Sequence, residues 1–384
     1  SKSIHLHHNI DVLIVGGGLS GLLAAKKLAG TNHNVLLIER EDYLGGILKN
    51  TKKIESINDQ NPSDWIEKTE RLIENSSNIK ILKNTLVTTY NFSNHLIAVE
   101  DKSVGKPQNN EKPELVLHKI RTKHTILANG HIERFVSFRN NDLPGVMLAA
   151  SFEKYIHRYG VLPDENPIIF TNNSSTFSLV KSLIKLGHKP KAYVDARDQK
   201  KIEKETLDLL TKYNIPLYAK SEIEGCDGKN EIQKVSIRVK KNEIIKIKTS
   251  MLCVSGGFNP DIHLFTQSKG LIKWDESLLT FRPDKPFQNT ITLGSVSGNF
   301  SYQKTINEIN KKLNFLGEVN DLELKLDING PEKFEIKELW ETSHAKKSLW
   351  SKSFIDLQND VTTKDLKQGV LEGFNRIEHL KRFT

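Results

Sequence analysis

Short apolar runs recur along the chain, and most are closed by a glycine or a charged residue. They include Val12–Val15, Asn34–Ile38, Ile79–Leu82, His124–Leu127, Pro167–Phe170, Lys191–Val194, Met251–Val254 and Thr290–Leu293. A run this short and this uniformly apolar reads as a strand buried on both faces of a parallel sheet. Between the runs the apolar spacing changes to helical. Leu22, Leu23, Ala25 and Leu28 follow the first run, and Trp65, Ile66, Thr69, Leu72 and Ile73 stripe a helix predicted over 62–75, opened by Pro62 and Ser63. Further helices are predicted at 176–187, 201–213 and 302–314. Leu86-Val87 and Phe92–Glu100 read as strands leading into a hairpin. Leu115–Ile120 is its return, and Lys102–Pro113 is its polar tip. Residues 216–248 read as further strands. The predicted fold class is α/β: two nested doubly wound (Rossmann-like) domains, the second inserted into the first. The expected division is 1–150 for the first domain, 151–285 for the insert, 286–325 for the return and 326–384 for a small C-terminal helical tail. In that tail, a capped helix starting near Thr363 is expected to bury Leu366, Val370 and Leu371.

The first strand runs directly into Gly16, Gly18 and Gly21, which fit G-x-G-x-x-G. In that pattern the first glycine permits the tight turn. The second lets a pyrophosphate approach the backbone, and the third packs the helix close to the strand. With Leu19 and Ser20, these residues open a helix whose N-terminal amides attract phosphates. The second strand ends at Glu39-Arg40, where a carboxylate can bind both hydroxyls of an adenosine ribose and would repel a 2′-phosphate. Gly45 and Gly46 lie where a loop could pass over a dinucleotide, or they form an ordinary turn. Val87 is placed where backbone could meet an adenine edge. Ala128-Asn129-Gly130 and Gly294-Ser295 end later strands at the same edge. The second strand–turn–helix repeats this topology, but its turn, Thr171–Thr176, has no glycine. Side chains there would crowd a pyrophosphate, so that site is read as closed or repurposed.

With 384 residues and a net charge of +9, the chain is long enough for two or three cores, and its lysines are scattered rather than massed. That spread reads as a solvated surface with no nucleic-acid partner, although a basic face could dock an acidic subunit. No stretch approaches the ~20 apolar residues of a membrane span. The N-terminal lead, containing His5, His7 and His8, is expected to be flexible and solvated. Cys226 and Cys253 are too far apart for a redox pair or a metal site, and the expected compartment is the cytoplasm. No G-x-S-x-G or H-E-x-x-H pattern occurs, and no catalytic residues or metal ligands are assigned. His131, Glu133 and Arg134 are read as a surface loop closed by local salt bridges, with contact to a nicotinamide or FMN as the alternative.

Several segments together resemble the alpha subunit of heterotetrameric sarcosine oxidase. They are Asn141–Leu148, Tyr155–Gly160, Phe170–Asn173, Val194–Arg197, Val254–Pro260, Phe354–Thr362 and Glu378–Thr384, in the family's order. Ala128-Asn129-Gly130 resembles the Ala-Thr-Gly strand end of FAD/NAD-linked reductases. The resemblance implies NAD in this chain, a beta subunit carrying FAD and the amine site, FMN between the two, smaller subunits, and oxidative demethylation of sarcosine. It also implies a ferredoxin-like domain upstream and an aminomethyltransferase-like domain downstream, neither of which lies in this sequence. Related flavoproteins carry Gly-Asp where this chain has Gly294-Ser295, and the acid anchors the flavin ribityl chain; its absence favours NAD over FAD. The tail reads Ile355-Asp356-Leu357-Gln358, without the cysteines with which related amine dehydrogenases (opine or hydroxyproline type) hold a [2Fe-2S] cluster. Two alternatives stand beside this reading: an FAD-dependent amine dehydrogenase in its own right, and a scaffold for which the nucleotide is a permanent folding ligand.

Overall fold

The structure is a computed structural model and describes residues 4–104, 115–240, 243–316, 321–331, 334–343 and 347–384. Residues 1–3 of the N-terminal lead and 105–113 of the expected hairpin tip lie outside the described residues. The chain forms two compact units, residues 1–132 with 258–332, and residues 133–257 with 333–384.

The first unit is built on a seven-stranded sheet. Its path runs Ile79–Leu82, Val35–Ile38, Ile4–Val15, Leu115–Leu127, His95–Asp101, Thr85–Asn91, and Thr290–Thr292 pairs off this path on Leu115–Leu127. The long central strands carry the architecture. Ile4–Val15 is parallel to Leu115–Leu127 from Ile4↔Val116 to Val15↔Leu127. Leu115–Leu127 pairs antiparallel with the hairpin strand His95–Asp101 along its first half and parallel with Thr290–Thr292 along its second. Two expectations change accordingly. Residues 115–127 form one strand rather than two pieces, and the lead is strand from Ile4 onward rather than flexible. Within it His8 Nε2 meets His118 Nδ1 at 2.9 Å, and His118 Nε2 meets Glu100 Oε2 at 3.1 Å, while His5 and His7 stay exposed.

Helices Leu19–Leu28, Pro62–Glu74 and Tyr302–Leu313 cover one face of this sheet. Their apolar stripes join Val12, Ile14, Val35 and Leu37 in a single core. The Pro62 helix buries Trp65, Ile66, Thr69 and Ile73, but Leu72 is exposed.

The second unit contains a five-stranded sheet in the order Leu217–Ala219, Ala192–Asp195, Ile168–Thr171, Leu252–Ser255, Val146–Leu148. All its pairings are parallel. Val146–Leu148 is its edge strand, which is why the chain joins this unit at Glu133 and not near 150. The return comes at Phe258, ahead of the expected 286, and brings an additional hairpin, Leu271–Asp275 with Thr280–Lys285, into the first unit. The tail is divided. Leu326–Ile328 pairs with Ile54–Ile57 in the first unit, and residues 334–384 belong to the second. The capped helix Thr363–Leu371 is present with a capping box between Thr362 and Asp365. Its buried positions are Thr363 and Gly369, whereas Val370 and Leu371 are 51% and 81% exposed.

Candidate dinucleotide-binding site

The strand-to-helix turn of the first unit has the shape its glycines imply. Gly16 has φ +102°, and a Cβ there would lie 2.5 Å from the Ala128 carbonyl oxygen. A Cβ on Gly21 would lie 1.8 Å from the Gly16 carbonyl oxygen, so the third glycine sets how closely the helix sits on the turn. Gly18 differs from both: a Cβ there meets nothing within 4 Å. That open space borders the N-terminus of helix Leu19–Leu28, which has no side-chain cap. Its first amides, on Leu19, Ser20 and Gly21, are the donors that a helix start leaves for an anion. A pyrophosphate fits here because a close backbone approach and uncapped donors coincide.

Glu39 is buried beside the same turn. Its Oε2 accepts from Gly17 N at 2.6 Å and its Oε1 from Glu41 N at 2.9 Å. A carboxylate has about four accepting positions, so each oxygen retains one for a ribose hydroxyl. Gly17 was absent from the predicted site, yet its amide orients the carboxylate. Gly45 N donates to Gly17 O at 2.8 Å, and Gly45 bridges to Gly18. A Cβ on Gly46 would be 3.1 Å from the Gly18 Cα. The Gly45-Gly46 loop therefore rests on the turn itself. The Arg40 side chain is largely in solvent, near Glu41. Val87 puts its side chain into the core with Leu13, Val15 and Ile38. In its strand Val87 pairs with Ala98, and the pairing register shifts between Val87 and Thr89.

Ala128, Asn129 and Gly130 follow the central strand. Asn129 Nδ2 donates to Asp261 O at 2.7 Å, and Asp261 N donates to Gly130 O at 3.1 Å. Gly294 has φ +71°, and a Cβ there would lie 2.1 Å from Ser20 Oγ, so the last strand ends against the start of the first helix. Sequence reasoning missed Glu308, which holds this corner. It accepts from Gly294 N at 2.9 Å, Ser297 Oγ at 2.8 Å and Lys312 Nζ at 2.7 Å. Ser295 lies on the short turn Gly294–Ser297, half-buried and with no carboxylate of its own.

The second unit shows what closes its counterpart. Segment 334–338 of the tail lies across the turn Thr171–Thr176. Ser174 Oγ accepts from Glu335 N at 2.9 Å, Lys337 N donates to Asn172 O at 2.8 Å, and Asn172 Nδ2 donates to Lys337 O at 2.7 Å. Lys337 Nζ reaches Ala196 O at 2.9 Å, just past the second strand. Ile336 bridges Asn173 and packs on Gly257. The acid at that strand end, Asp195, is engaged as well. Its carboxylate accepts from Arg197 N at 2.8 Å and Arg197 Nη2 at 2.8 Å, and Glu203 flanks the same guanidinium. Burial raises the Asp195 carboxyl against the pull of Arg197.

Glu133 and Arg134, in the second unit, do not form the expected salt-bridged surface loop. Glu133 accepts from Ala150 N at 2.8 Å at the start of helix Ala149–Tyr159, and burial pushes its carboxyl up to about 7. Arg134 donates to Gly256 O at 3.1 Å and lies 4.8 Å over the Trp340 ring, and burial lowers it to about 10. The Ser255 side chain also hydrogen-bonds the Glu133 carboxyl. Burial also raises the two thiols, Cys226 to about 12 and Cys253 further. Among the described residues no group of three or more His, Cys, Asp or Glu side chains could hold a metal, and no helix is long and apolar enough to cross a membrane.

The NAD(P)-binding Rossmann-like domain family matches residues 14–64, the turn and Glu39 included. The Sarcosine oxidase A3 domain family matches residues 350–384. The sarcosine oxidase subunit alpha of Corynebacterium sp. (strain U-96) is 27% identical over 99% of this chain and 40% of its own length. The subunit of the same name from Rhizobium meliloti (strain 1021) is 27% identical over 97% of this chain and 37% of its own. This chain is a homologue of sarcosine oxidase alpha subunits. It spans about two fifths of the length of these relatives. In structure it is similar to L-proline dehydrogenase from P. horikoshii, with TM-score 0.68, 20% identity, all of this chain and 71% of that one. It is also similar to T. acidophilum thioredoxin reductase, with TM-score 0.58, 16% identity, 79% of this chain and 94% of that one. At these identities the likeness establishes the α/β dinucleotide-binding fold.

Proposed function

We propose that this homologue is the NAD-binding alpha component of a sarcosine-oxidising complex in the cytoplasm, and that a partner flavoprotein subunit oxidises the amine. In this reading FAD belongs to that partner, FMN lies at the shared boundary, and smaller subunits complete the assembly. The observation that carries the proposal is the open space at Gly18, bordered by uncapped helix amides and by a Glu39 carboxylate oriented through Gly17. Leu19, Ser20 and Gly21 would hold the pyrophosphate through their amides. Glu39 would hold the adenosine ribose through its remaining lone pairs and disfavour a 2′-phosphate by charge. Bound NAD supplies a hydride acceptor.

Ser295 supports NAD over FAD, because the turn at Gly294 presents a hydroxyl where a ribityl chain calls for an acid. The neighbouring carboxylate, Glu308, is already engaged by Gly294, Ser297 and Lys312. The enclosed, protonated thiols of Cys226 and Cys253 are unsuited to relaying electrons. The test is to denature the purified chain and identify what is released by absorbance and mass. NAD without flavin is the expected result. Released FAD would overturn the assignment and make the chain a flavoenzyme in its own right.

A further inference from the structure

The Gly18 turn and Glu39 account for the phosphates and the adenosine of a dinucleotide, but not for its second ring. Asn129 and His131 follow the central strand, beside that turn. The Asn129 backbone rests on the first glycine of the turn, since a Cβ on Gly16 would lie 3.0 Å from the Asn129 Cα. On the other side, a Cβ on Gly130 would lie 4.0 Å from Ser295 Oγ. The segment thus occupies the stretch of sheet edge between the pyrophosphate turn and the final strand end.

Two enclosed polar atoms in this segment have no hydrogen-bond partner among the described residues. They are Asn129 Oδ1 and His131 Nδ1. The Asn129 amide is oriented by its other end, where Nδ2 donates to Asp261 O at 2.7 Å, so Oδ1 is left as a fixed acceptor. His131 is wedged edge-on against Phe258, with ring centroids 4.5 Å apart at 71°, and against Phe300, 5.5 Å apart at 76°. Burial, with the charge of Lys53 behind it, lowers His131 to about 4, so the ring is neutral at physiological pH. An enclosed polar atom left unpaired is costly to stability. Two such atoms within three residues, the second on a ring edge-on to Phe258 and Phe300, match a flat ligand that carries both a donor and an acceptor.

We propose that Asn129 and His131 recognise the amide of the dinucleotide's second ring, the carboxamide of a nicotinamide, with Phe258 and Phe300 forming the apolar wall beside it. This rests on the reading that the first unit binds a dinucleotide. An N–H of the carboxamide would donate to Asn129 Oδ1, and the neutral imidazole would pair with the remaining polar atom. The imide edge of a flavin offers the same donor-beside-acceptor chemistry, so the experiment has an arm for each source.

The measurement is calorimetric titration of the full chain with NAD, ADP-ribose and FAD, for wild type, Asn129→Ala and His131→Phe. ADP-ribose keeps the pyrophosphate and both riboses but lacks the ring. Wild type is expected to prefer NAD over ADP-ribose by about tenfold or more, as a well-made pair of hydrogen bonds allows. Each variant is expected to lose that preference while binding ADP-ribose as wild type does, and the retained ADP-ribose affinity shows the fold is intact. An unchanged NAD to ADP-ribose ratio would overturn the proposal, as would an equal loss of both ligands. A preference for FAD that these variants abolish would assign the same atoms to a flavin and overturn the nicotinamide. Wild type that binds none of the three would instead overturn the underlying dinucleotide reading.

Discussion

At the level of single residues, Gly18 and Gly21 separate binding from folding. A side chain at Gly18 enters open space from an ordinary backbone, φ −70° and ψ −170°, so Gly18→Val is expected to fold. Its stability should stay within about 1 kcal/mol of wild type, the scale of a helix N-cap change. The valine fills the space that phosphate needs, so NAD binding should be lost in calorimetry. Gly21→Ala is the opposite case. Its methyl would sit 1.8 Å from a backbone oxygen, and the helix must move to admit it. That variant should lose about 1–3 kcal/mol, as overpacked sites do, in a urea titration. Unimpaired NAD binding by Gly18→Val would remove the turn from the site.

Glu133 gives a second prediction at this scale. Its carboxyl titrates near 7 in the folded chain and near 4.5 when unfolded. Between those values the folded state holds the extra proton, so stability falls as pH rises from about 4.5 to 7 and is level above. Glu133→Gln keeps a neutral, hydrogen-bonding side chain and abolishes that slope. Its advantage over wild type in urea midpoint should therefore be small at pH 5 and reach a few kcal/mol-equivalents of stability at pH 8. A difference that does not grow with pH would show that the folded carboxyl is already ionised.

At the level of elements, legibility followed sequence distance. The buried strands, the first helix, the glycine turn and Glu39 are each specified within a few residues, and local pattern suffices for them. The capping box of helix Thr363–Leu371 is equally local. Its buried face is not. Helical spacing says which residues share a face and not which face is covered. Gly369 is covered, so close to Leu380 of the following helix Ile377–Phe383 that a Cβ would come within 2.4 Å of it, and Val370 and Leu371 face outward. The lead shows the same limit. Its histidine-rich pattern looks solvated, yet a parallel partner more than 100 residues away makes it a strand. Glu308 at the Gly294 corner and Glu335–Lys337 on the second turn had no local signal at all. Each reaches its place through the fold.

At the level of the whole molecule, two units with the same winding have different capacities for a ligand. The first keeps its glycines, its uncapped helix and a carboxylate with accepting positions to spare. The second replaces the glycines with Asn172, Asn173 and Ser174, commits Asp195 to Arg197, and lays its own tail over the turn through backbone hydrogen bonds on both Asn172 and Ser174. A peptide held this way lies over the turn that a nucleotide would approach, while the turn's own amides on Asn173 and Ser175 are engaged by Thr171 Oγ1 and Asn173 Oδ1. Because it is covalently attached, the peptide faces no concentration requirement. The chain should therefore bind one dinucleotide, not two. Native mass spectrometry with excess NAD is expected to show a single added mass per chain. In calorimetric unfolding, NAD at about 100 times its Kd should stabilise the unit that binds it by about 2.7 kcal/mol and leave the other unmoved. A second bound nucleotide would mean that the tail yields to ligand, and that Glu335–Lys337 covers a working site rather than replacing one.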